Sequence, residues 1–483
     1  MIYVITQIIS GTVLYNIFFI LYILTILSII IVVITENRNP VKSLAWVTVL
    51  LMLPIAGVVI YIFFGRNFKS KRLIRRRNKQ KIKSIGNTSP SIFANTLPQL
   101  SEESADLLKL GKTINSSDYY TNNKIDIYTH ARDKFDQFIK DICAAQDYIN
   151  IQYYIFENDK LGNEIKDLLI EKVKQGVKVR IIYDHVGCFK VRNSFYRQMK
   201  AHGIEVEPFM RVTFPQFATR INWRNHRKVT IIDGKIGYIG GMNIANRYIN
   251  GGKHAYWRDT HIRICGNAVI ALEKAFSSDW SFMGNQPLAD HVEYFPPADG
   301  YDAGIQLITS GPMSSWSNMS MMLFKAISGA KRSIYIQTPY FLPTDSLLKA
   351  LQAAALSGVD VRLMMPKQSD SMMLTLASYS YIKSCLLSGI KVYLYQKGML
   401  HAKTLIIDDE LSSTGSTNFD FRSMEHNFEC NAFIYGKEFN TRMKDIFNRD
   451  LKDCRRISKS SWGRRPVIQK FKESVVRLFS PIL

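Results

Sequence analysis

The hydrophobic residues divide the chain into an apolar amino-terminal part and a longer part in which short apolar runs alternate with amphipathic patterns. Gly11 to Ile34 are 24 apolar or weakly polar residues without a charge, and Leu44 to Phe64 are another 21. Each run is long enough to cross a hydrocarbon core of about 30 Å at ~1.5 Å per residue. Because the connection between them is short, the pattern predicts a two-helix transmembrane hairpin.

A strongly basic segment follows the second apolar run. Arg66 to Lys83 contain ten basic residues and no acidic one. The preference for positive charge on the cytoplasmic side of a membrane puts this segment, and everything after it, in the cytoplasm. The segment is either a topology signal alone or also a site for anionic lipid head groups. We therefore expect a cell-membrane protein with two spans, followed by a linker that ends near Ser117.

Beyond the linker, strand-like and helical patterns alternate and then repeat. Tyr148 to Phe156 and Ser333 to Phe341 are strand-like and share an Ile-Gln pair. Each leads into a helical pattern, Leu161 to Gln175 and Ser346 to Ser357, that ends at a glycine before the next strand. This alternation indicates an α/β fold made of two related halves, with helices on both faces of each sheet.

One polar motif occurs twice, each time at the start of a β-branched run. In each copy a Lys lies 2 residues after a His, an Asp 7 residues after it, a Gly 14 and an Asn 17. The two copies are His226, Lys228, Asp233, Gly240 and Asn243, and then His401, Lys403, Asp408, Gly415 and Asn418.

The spacing of this motif has a chemical logic. His and Lys, two residues apart on a strand, point to the same face, so one strand end presents an imidazole and an ammonium together. The glycine permits close backbone approach, and the asparagine offers amide donors. Such donors around one point form a site for a phosphate oxyanion.

The paired motifs, within about Ser117 to Asp453, resemble the HxKxxxxD motifs of the phospholipase D superfamily. The apolar hairpin, with Asn39-Pro40 and Leu53-Pro54, resembles the amino-terminal membrane segment of bacterial cardiolipin synthases. The resemblance implies two pseudo-symmetric phospholipase D-type α/β halves with mixed sheets, related by an axis that brings the two histidines together. The predicted organisation is a hairpin at 1–65, a basic segment and linker at 66–116, a first domain at 117–298, and a second domain with a carboxyl-terminal amphipathic helix at 299–483.

The resemblance also implies roles for the motif residues. One histidine attacks phosphorus and forms a phosphohistidine, while the other exchanges protons with the leaving and incoming alcohols. The family pattern makes His226 the nucleophile and His401 the acid and base. The non-bridging oxygens would be held by Lys228, Lys403, Asn243 and Asn418.

Acidic residues complete the implied site. Glu429 and Asp259 match the acids that orient the two imidazoles, although Asp259 is displaced to 33 residues past His226. The motif counts Asp233 and Asp408 in the catalytic set, but a structural role is the preferred interpretation of both. No metal or other cofactor is implied, because each HxK pair puts a cation where a metal would sit.

The function implied by the resemblance is cardiolipin synthesis, in which a phosphatidyl group passes from one phosphatidylglycerol to another and glycerol is released. A membrane-bound phospholipase D that hydrolyses phospholipids is the first alternative, because water and alcohol compete for the same intermediate. A nucleic-acid-binding membrane protein is the second, motivated by the net charge of +23. It ranks last because ten of the basic residues lie beside the predicted membrane and no nucleic-acid module is recognisable. The partners expected are therefore phosphatidylglycerol and anionic membrane lipids, and the oligomeric state is left open.

Two further stretches keep two interpretations each. The pattern after Pro466 predicts a basic amphipathic helix that lies in a membrane interface or packs on the protein body. The aromatic and basic stretch from Phe209 to Asn225 is longer than its counterpart in the second half. It is interpreted either as a binding site for a lipid head group or as an ordinary surface insertion. Six cysteines without a CxxC pattern indicate neither a zinc site nor a disulfide framework and fit a reduced compartment.

Overall fold

The computed structural model describes residues 2–35, 40–53, 56–58, 61, 100–212, 222–286, 288 and 303–480. The chain divides into two compact units, residues 1–70 with 213–222 and residues 71–212 with 223–483. The basic segment 66–83, most of the linker and the centre of the stretch from Phe209 to Asn225 lie outside the described residues. The predictions about those segments stay predictions.

The smaller unit contains the helices α1 (Ile2–Thr35) and α2 (Pro40–Met52), which the long uncharged runs predict. Leu50 and Tyr61 are buried there, with Ile30 packed against them. In the described part of the chain, no helix combines the length and the apolarity needed to cross a membrane. The transmembrane hairpin stays a prediction.

The described part of the larger unit begins with α3 (Glu102–Asn115) and β1 (Tyr119–Tyr120) and continues into a seven-stranded mixed sheet. The strands of the first half are β2 (Asn123–Tyr128), β3 (Tyr148–Tyr153), β4 (Lys178–Asp184), β5 (Glu205–Phe209), β6 (Lys228–Ile232), β7 (Ile236–Gly240), β8 (Trp257–Arg258) and β9 (His261–Gly266). Its helices are α4 (Ala131–Ala144), α5 (Lys160–Lys174), α6 (Asn193–Ala201), α7 (Asn246–Asn250) and α8 (Val269–Phe282). The order across the sheet is β2-β9-β7-β6-β3-β4-β5.

The second half is built on a nine-stranded sheet within the described residues. Its strands are β10 (Gly304–Ser310), β11 (Ser333–Gln337), β12 (Phe341–Leu342), β13 (Asp360–Pro366), β14 (Lys391–Tyr395), β15 (Met399–Leu400), β16 (Thr404–Ile407), β17 (Leu411–Gly415), β18 (Phe419–Asp420), β19 (Glu429–Tyr435) and β20 (Cys454–Arg456). Its helices are α9 (Asn318–Gly329), α10 (Asp345–Leu356), α11 (Met372–Leu387), α12 (Phe421–Glu425), α13 (Lys437–Leu451), α14 (Lys459–Gly463) and α15 (Val467–Arg477). The order across the sheet is β1-β10-β19-β17-β16-β11-β13-β14-β20.

The two sheets repeat one another strand for strand. The order β10-β19-β17-β16-β11-β13-β14 corresponds to β2-β9-β7-β6-β3-β4-β5 of the first half. In both sheets three adjacent strands run parallel and the other neighbours run antiparallel. This duplication confirms the predicted α/β fold of two halves with mixed sheets. The strand β1 precedes the first half in the chain but pairs with β10 of the second sheet. Strand pairing therefore does not follow chain order at this point, and the predicted domain boundaries stay predictions.

Two helices end at glycines, as the sequence predicts. Gly176 follows the last turn of α5 and Gly358 follows that of α10, with φ of +93° and +95°. An added Cβ would meet no atom within 4 Å at either position. The left-handed backbone, rather than a lack of space, therefore favours glycine there.

Short backbone pairings join the two halves beside the histidine motifs. The strand β8 pairs in parallel with β15, and Asn225 bridges to Phe428. The amide of His226 donates to the carbonyl of Phe428 at 2.9 Å, and the amide of His401 donates to that of Arg258 at 2.6 Å. Each histidine is thus fixed at the backbone by the opposite half.

Candidate active site

The two histidines lie just before corresponding central strands, β6 and β16, at the junction of the halves. These strands are buried along their length because neighbours flank them on both sides. The charge of Lys403 acts on His226, and that of Asp259 acts on Lys228. The structure therefore brings the two motifs into one site, as the resemblance implies.

The imidazole of His226 is held by an acid from the second half. Its Nδ1 lies 3.0 Å from Oε1 of Glu429, whose side chain is completely buried, and 3.0 Å from the carbonyl oxygen of Ser416. Both neighbours are acceptors, so Nδ1 carries the proton and Nε2 keeps its lone pair. Burial lowers the pKa of His226, against the opposing effect of the Glu429 charge.

The imidazole of His401 is held in the same way by an acid from the first half. Its Nδ1 lies 2.6 Å from Oδ2 of Asp259, and both side chains are buried. Burial and the nearby charge of Lys403 lower the pKa of His401 to about 4, although Asp259 opposes the shift. The predicted supporting acids are therefore present, and each serves the histidine of the other half.

The two motif lysines are buried between these acids. The Nζ atom of Lys228 donates to the carbonyl of His226 at 2.6 Å, and that of Lys403 lies 3.3 Å from Nε2 of His401. Burial lowers the pKa of Lys228 to about 7 and that of Lys403 to about 8. Negative charge entering the site would favour both ammonium forms.

Close packing around the acids requires glycine at three places in the site. A Cβ on Gly415 would lie 2.3 Å from the carbonyl oxygen of Cys430, the residue after Glu429. A Cβ on Gly241 would lie 2.1 Å from Oδ1 of Asp259. The close approach predicted for the motif glycines is confirmed at Gly415 and at Gly240, where a Cβ would lie 2.6 Å from the carbonyl oxygen of Thr260. The role of Gly241 was not predicted.

The motif asparagines are buried beside the site but have partners within the protein. The side-chain amide of Asn243 donates to the hydroxyl of Tyr248 at 2.5 Å and accepts from the amide of Ile155. The side chain of Asn418 forms a hydrogen bond with Asp420. Their predicted contacts with substrate oxygens stay a prediction.

The motif aspartates lie at the far ends of β6 and β16 from the histidines. Asp233 accepts three backbone N–H groups from residues 146–148, and Asp408 accepts three from residues 331–333. Both adopt the left-handed backbone conformation, with φ of +51° and +53°. These contacts fix the loops that lead into β3 and β11. Both aspartates therefore fit a structural role, and not the catalytic role that their place in the motif suggests.

Two aspartates near the ends of α8 and α13, Asp279 buried and Asp450 13% exposed, support the site and were not predicted. Each accepts a hydrogen bond from a strand glutamine and pairs with an arginine next to a site residue. The sets are Asp279 with Gln152 and Arg227, and Asp450 with Gln337 and Arg258. The repeated Ile-Gln pair was the available signal, because its glutamine faces the same kind of acid in both halves.

Three aromatic rings that sequence analysis did not single out flank the imidazoles. The ring of Tyr154 lies 5.0 Å from that of His226, and Trp257 and Tyr248 lie 5.3 and 5.8 Å from His401. They contribute to the burial that lowers the pKa of both histidines.

At the carboxyl-terminal edge of the stretch from Phe209 to Asn225, residues 223–225 are buried, whereas Arg211 at the other edge is exposed. Trp223 is 6% exposed, and Arg224 pairs with the buried carboxylate of Asp184 at 3.3 Å. A lipid contact is therefore excluded for these two side chains. Among the described residues, no group of three or more His, Cys, Asp or Glu could hold a metal ion.

Family models match both parts of the chain. The model described as "Cardiolipin synthase, PLD-like domain" matches residues 138–280 and 323–451, one segment in each half. The model described as "Phospholipase_D-nuclease N-terminal" matches residues 20–66. The class defined by the fold and the paired motifs is thus that of phospholipase D-like proteins.

Known proteins resemble the chain over nearly its whole length. The "Major cardiolipin synthase ClsA" of Bacillus subtilis (strain 168) is 39% identical and the alignment covers 98% of this chain and 99% of that protein. "Cardiolipin synthase 1" of Staphylococcus aureus (strain COL) is 39% identical, with 93% of each covered. The crystal structure of phosphatidylserine synthase from Haemophilus influenzae Rd KW20 shares the fold, with a TM-score of 0.59 and 14% identity over 78% of this chain and 100% of that one. The chain belongs to the cardiolipin synthase family of phospholipase D-like proteins.

Proposed function

We propose that this protein synthesises cardiolipin by transferring the phosphatidyl group of one phosphatidylglycerol to a second one, with release of glycerol. The observation that carries the proposal is the pair of buried histidines, each with its Nδ1 against an acid and a lysine beside it. One phosphodiester replaces another, so the reaction needs no nucleotide. Relatives named as cardiolipin synthases at 38–39% identity support this choice of product.

In the first step, Nε2 of His226 attacks the phosphorus of phosphatidylglycerol. The bond between phosphorus and the glycerol oxygen breaks as the bond from nitrogen to phosphorus forms. His401, as an imidazolium, gives its Nε2 proton to the departing oxygen, so that free glycerol leaves. Asp259 stabilises that imidazolium, and Glu429 stabilises the positive charge that develops on His226.

In the second step, His401 has become neutral and accepts a proton from the terminal hydroxyl of the second phosphatidylglycerol. The resulting oxygen nucleophile attacks the phosphorus, and the bond to Nε2 of His226 breaks. The products are cardiolipin and the original imidazole, and His401 again carries a proton for the next cycle. Atoms, charges and protons therefore balance over the two steps.

The ammonium groups of Lys228 and Lys403 stabilise the non-bridging oxygens during both steps. Both lysines are buried, as their lowered pKa values reflect. Because charges attract one another more strongly in such surroundings than in water, each ammonium stabilises a phosphodiester anion more than it would in water. Asn243 and Asn418 assist in the same role if their amides turn from their present partners.

The smaller unit anchors the enzyme to the cell membrane in this proposal. The support is the pair of uncharged runs, the family match over residues 20–66, and the exposure of apolar side chains along α1, for example 64% for Phe18 and 57% for Ile20. We place the two spans within 1–65 and the phospholipase D-type domains at 117–298 and 299–483, in the cytoplasm. Attaching a reporter after residue 483 and testing its access to protease in sealed cells examines this arrangement.

Product analysis tests the proposed reaction. Purified full-length protein is incubated with phosphatidylglycerol vesicles, and the lipids and glycerol are quantified by mass spectrometry. One cardiolipin and one glycerol for every two phosphatidylglycerols consumed support the proposal. Phosphatidic acid with glycerol, in place of cardiolipin, would identify a hydrolase and contradict it.

A further inference from the structure

The last helix of the chain, α15, turns its apolar side outward. Six large apolar residues of this segment are exposed, from 39% for Val475 to 80% for Val467. The six are Val467, Ile468, Phe471, Val475, Leu478 and Phe479. At 3.6 residues per turn they fall within about 120° of arc, so they form one continuous stripe, which we call the apolar stripe of α15.

The opposite side of α15 packs against the body of the larger unit through polar groups and Val476. Glu473 is 3% exposed and pairs with Arg465, while Gln469 donates to the same carboxylate. The guanidinium of Arg477 lies 4.6 Å from the ring centre of Tyr381 on α11. A helix that buries a glutamate and exposes its aliphatic and aromatic residues is inverted relative to an ordinary surface helix.

Basic residues border the apolar stripe on both sides. In the helical projection, Lys472 lies beside one edge of the stripe and Lys470 lies about 60° beyond the other. Long basic side chains in this position can bury their methylene groups in a lipid interface while their charges reach the head groups.

A basic groove adjoins the same helix. The groove has a volume of about 410 Å³ and runs between α11, α14 and α15. Its charged lining residues are Lys383, Lys459, Arg465, Lys470, Glu473 and Arg477. The single acid among them is already paired with Arg465, so the groove carries an excess of positive charge.

We propose that the apolar stripe of α15 inserts into the surface of an anionic phospholipid bilayer, with lipid phosphates bound along the adjoining basic groove. The exposed stripe supplies the apolar contact, and its basic borders and the groove match the charge of the head groups. This contact belongs to the larger unit and is additional to the anchor proposed for residues 1–65. It brings the unit that carries both histidines to a lipid surface.

Hydrogen exchange of the full-length protein tests the contact without measuring turnover. The protein is reconstituted in nanodiscs of phosphatidylglycerol and, separately, of phosphatidylcholine, and exchange of the amides in residues 467–479 is followed by mass spectrometry. We expect exchange to be slower in phosphatidylglycerol than in phosphatidylcholine by about fivefold or more. This factor corresponds to the binding free energy that at least one basic residue contributes at an anionic surface. Added salt should reduce the difference.

Substitutions on the exposed side of α15 provide the structural test. Phe471→Ser combined with Leu478→Ser should remove the difference between the two lipids, and Lys470→Gln combined with Lys472→Gln should reduce it while the apolar stripe remains. The matched control is Phe324→Ser combined with Leu356→Ser, which changes exposed residues of α9 and α10 and should leave the difference unchanged.

Two results would overturn the proposal. Equal exchange of residues 467–479 in both lipids would show that α15 makes no contact with anionic head groups. Protection that rises with protein concentration and is the same in both lipids would show that a second copy of the chain covers the stripe. Either result can occur in a protein that makes cardiolipin normally, so this test is independent of the proposed reaction.

Discussion

Replacing Asp259 by asparagine should weaken proton donation by His401 while the fold remains intact. The carboxylate is 1% exposed, and its Oδ2 lies 2.6 Å from Nδ1 of the imidazole. A hydrogen bond to a charged group contributes about 1.5–3 kcal/mol, and 1.36 kcal/mol corresponds to about one pKa unit. The substitution should therefore lower the pKa of His401, already about 4, by about one to two further units.

The expected result is a loss of activity of about 10- to 100-fold near neutral pH, because the protonated fraction of His401 falls by that factor. The assay is the initial rate of glycerol release from phosphatidylglycerol vesicles over a series of pH values. The limb of the profile that requires protonated His401 should move to lower pH in the variant.

The control for Asp259→Asn is Asp126→Asn, the same chemical change at a partly exposed acid that pairs with Arg263. Thermal melts by circular dichroism establish that both variants fold. A folded Asp259→Asn variant with a wild-type rate at every pH would refute the role assigned to this acid.

Three other perturbations follow from the same structure. His226→Ala and His401→Ala should each abolish turnover, because neither imidazole can perform the other's step. Near-normal glycerol release by either variant would contradict the paired-histidine mechanism. Asp408→Ala should lower the free energy of unfolding by about 1–3 kcal/mol, because three backbone N–H groups lose their acceptor. The rate of glycerol release per folded molecule should change little. A large loss of this rate with an unchanged thermal melt would instead show that Asp408 is catalytic. Burial lowers the pKa of Lys228 to about 7 from about 10.4 in the unfolded chain, so the unfolded chain binds more protons between these values and stability rises with pH there. Removing the buried ammonium by Lys228→Met should therefore raise the melting temperature more at about pH 6 than at about pH 9, and the opposite order would show that the pKa of Lys228 is not lowered.

The duplicated architecture could be predicted because it is encoded locally. The repeated Ile-Gln strands, the helices ending at Gly176 and Gly358, and the HxK spacing each depend on residues close together in the chain. Strand period, helix period and left-handed glycines are short-range properties. The structure reproduces them in both halves.

The pairing of each histidine with the acid of the other half could not be read from spacing. Glu429 is 203 residues from His226, and Asp259 is 142 residues from His401. Contacts over such separations depend on how the halves dock, and the backbone pairing of β8 with β15 is one part of that junction. The resemblance identified both acids but carried no information about which imidazole each one contacts.

The burial of individual residues also could not be predicted from the pattern of hydrophobic and polar positions. Trp223 and Arg224 look like surface residues in the sequence but are buried, the latter against Asp184. The helical pattern after Pro466 predicted α15 correctly, yet the inward position of Glu473 depends on Arg465 and the surface of α11. Such choices follow from tertiary partners and not from helical period.

The most direct test of the paired-histidine account is the location of the covalent intermediate. Protein reacting with phosphatidylglycerol is quenched with denaturant near neutral pH, because a phosphohistidine is labile to acid and the acyl esters of the lipid are cleaved by alkali. Its peptides are then analysed by mass spectrometry. The account predicts a phosphatidyl adduct on the peptide that contains His226, and its loss in the His226→Ala variant. An adduct on the peptide that contains His401, or continued cardiolipin formation with no adduct on either histidine, would contradict it.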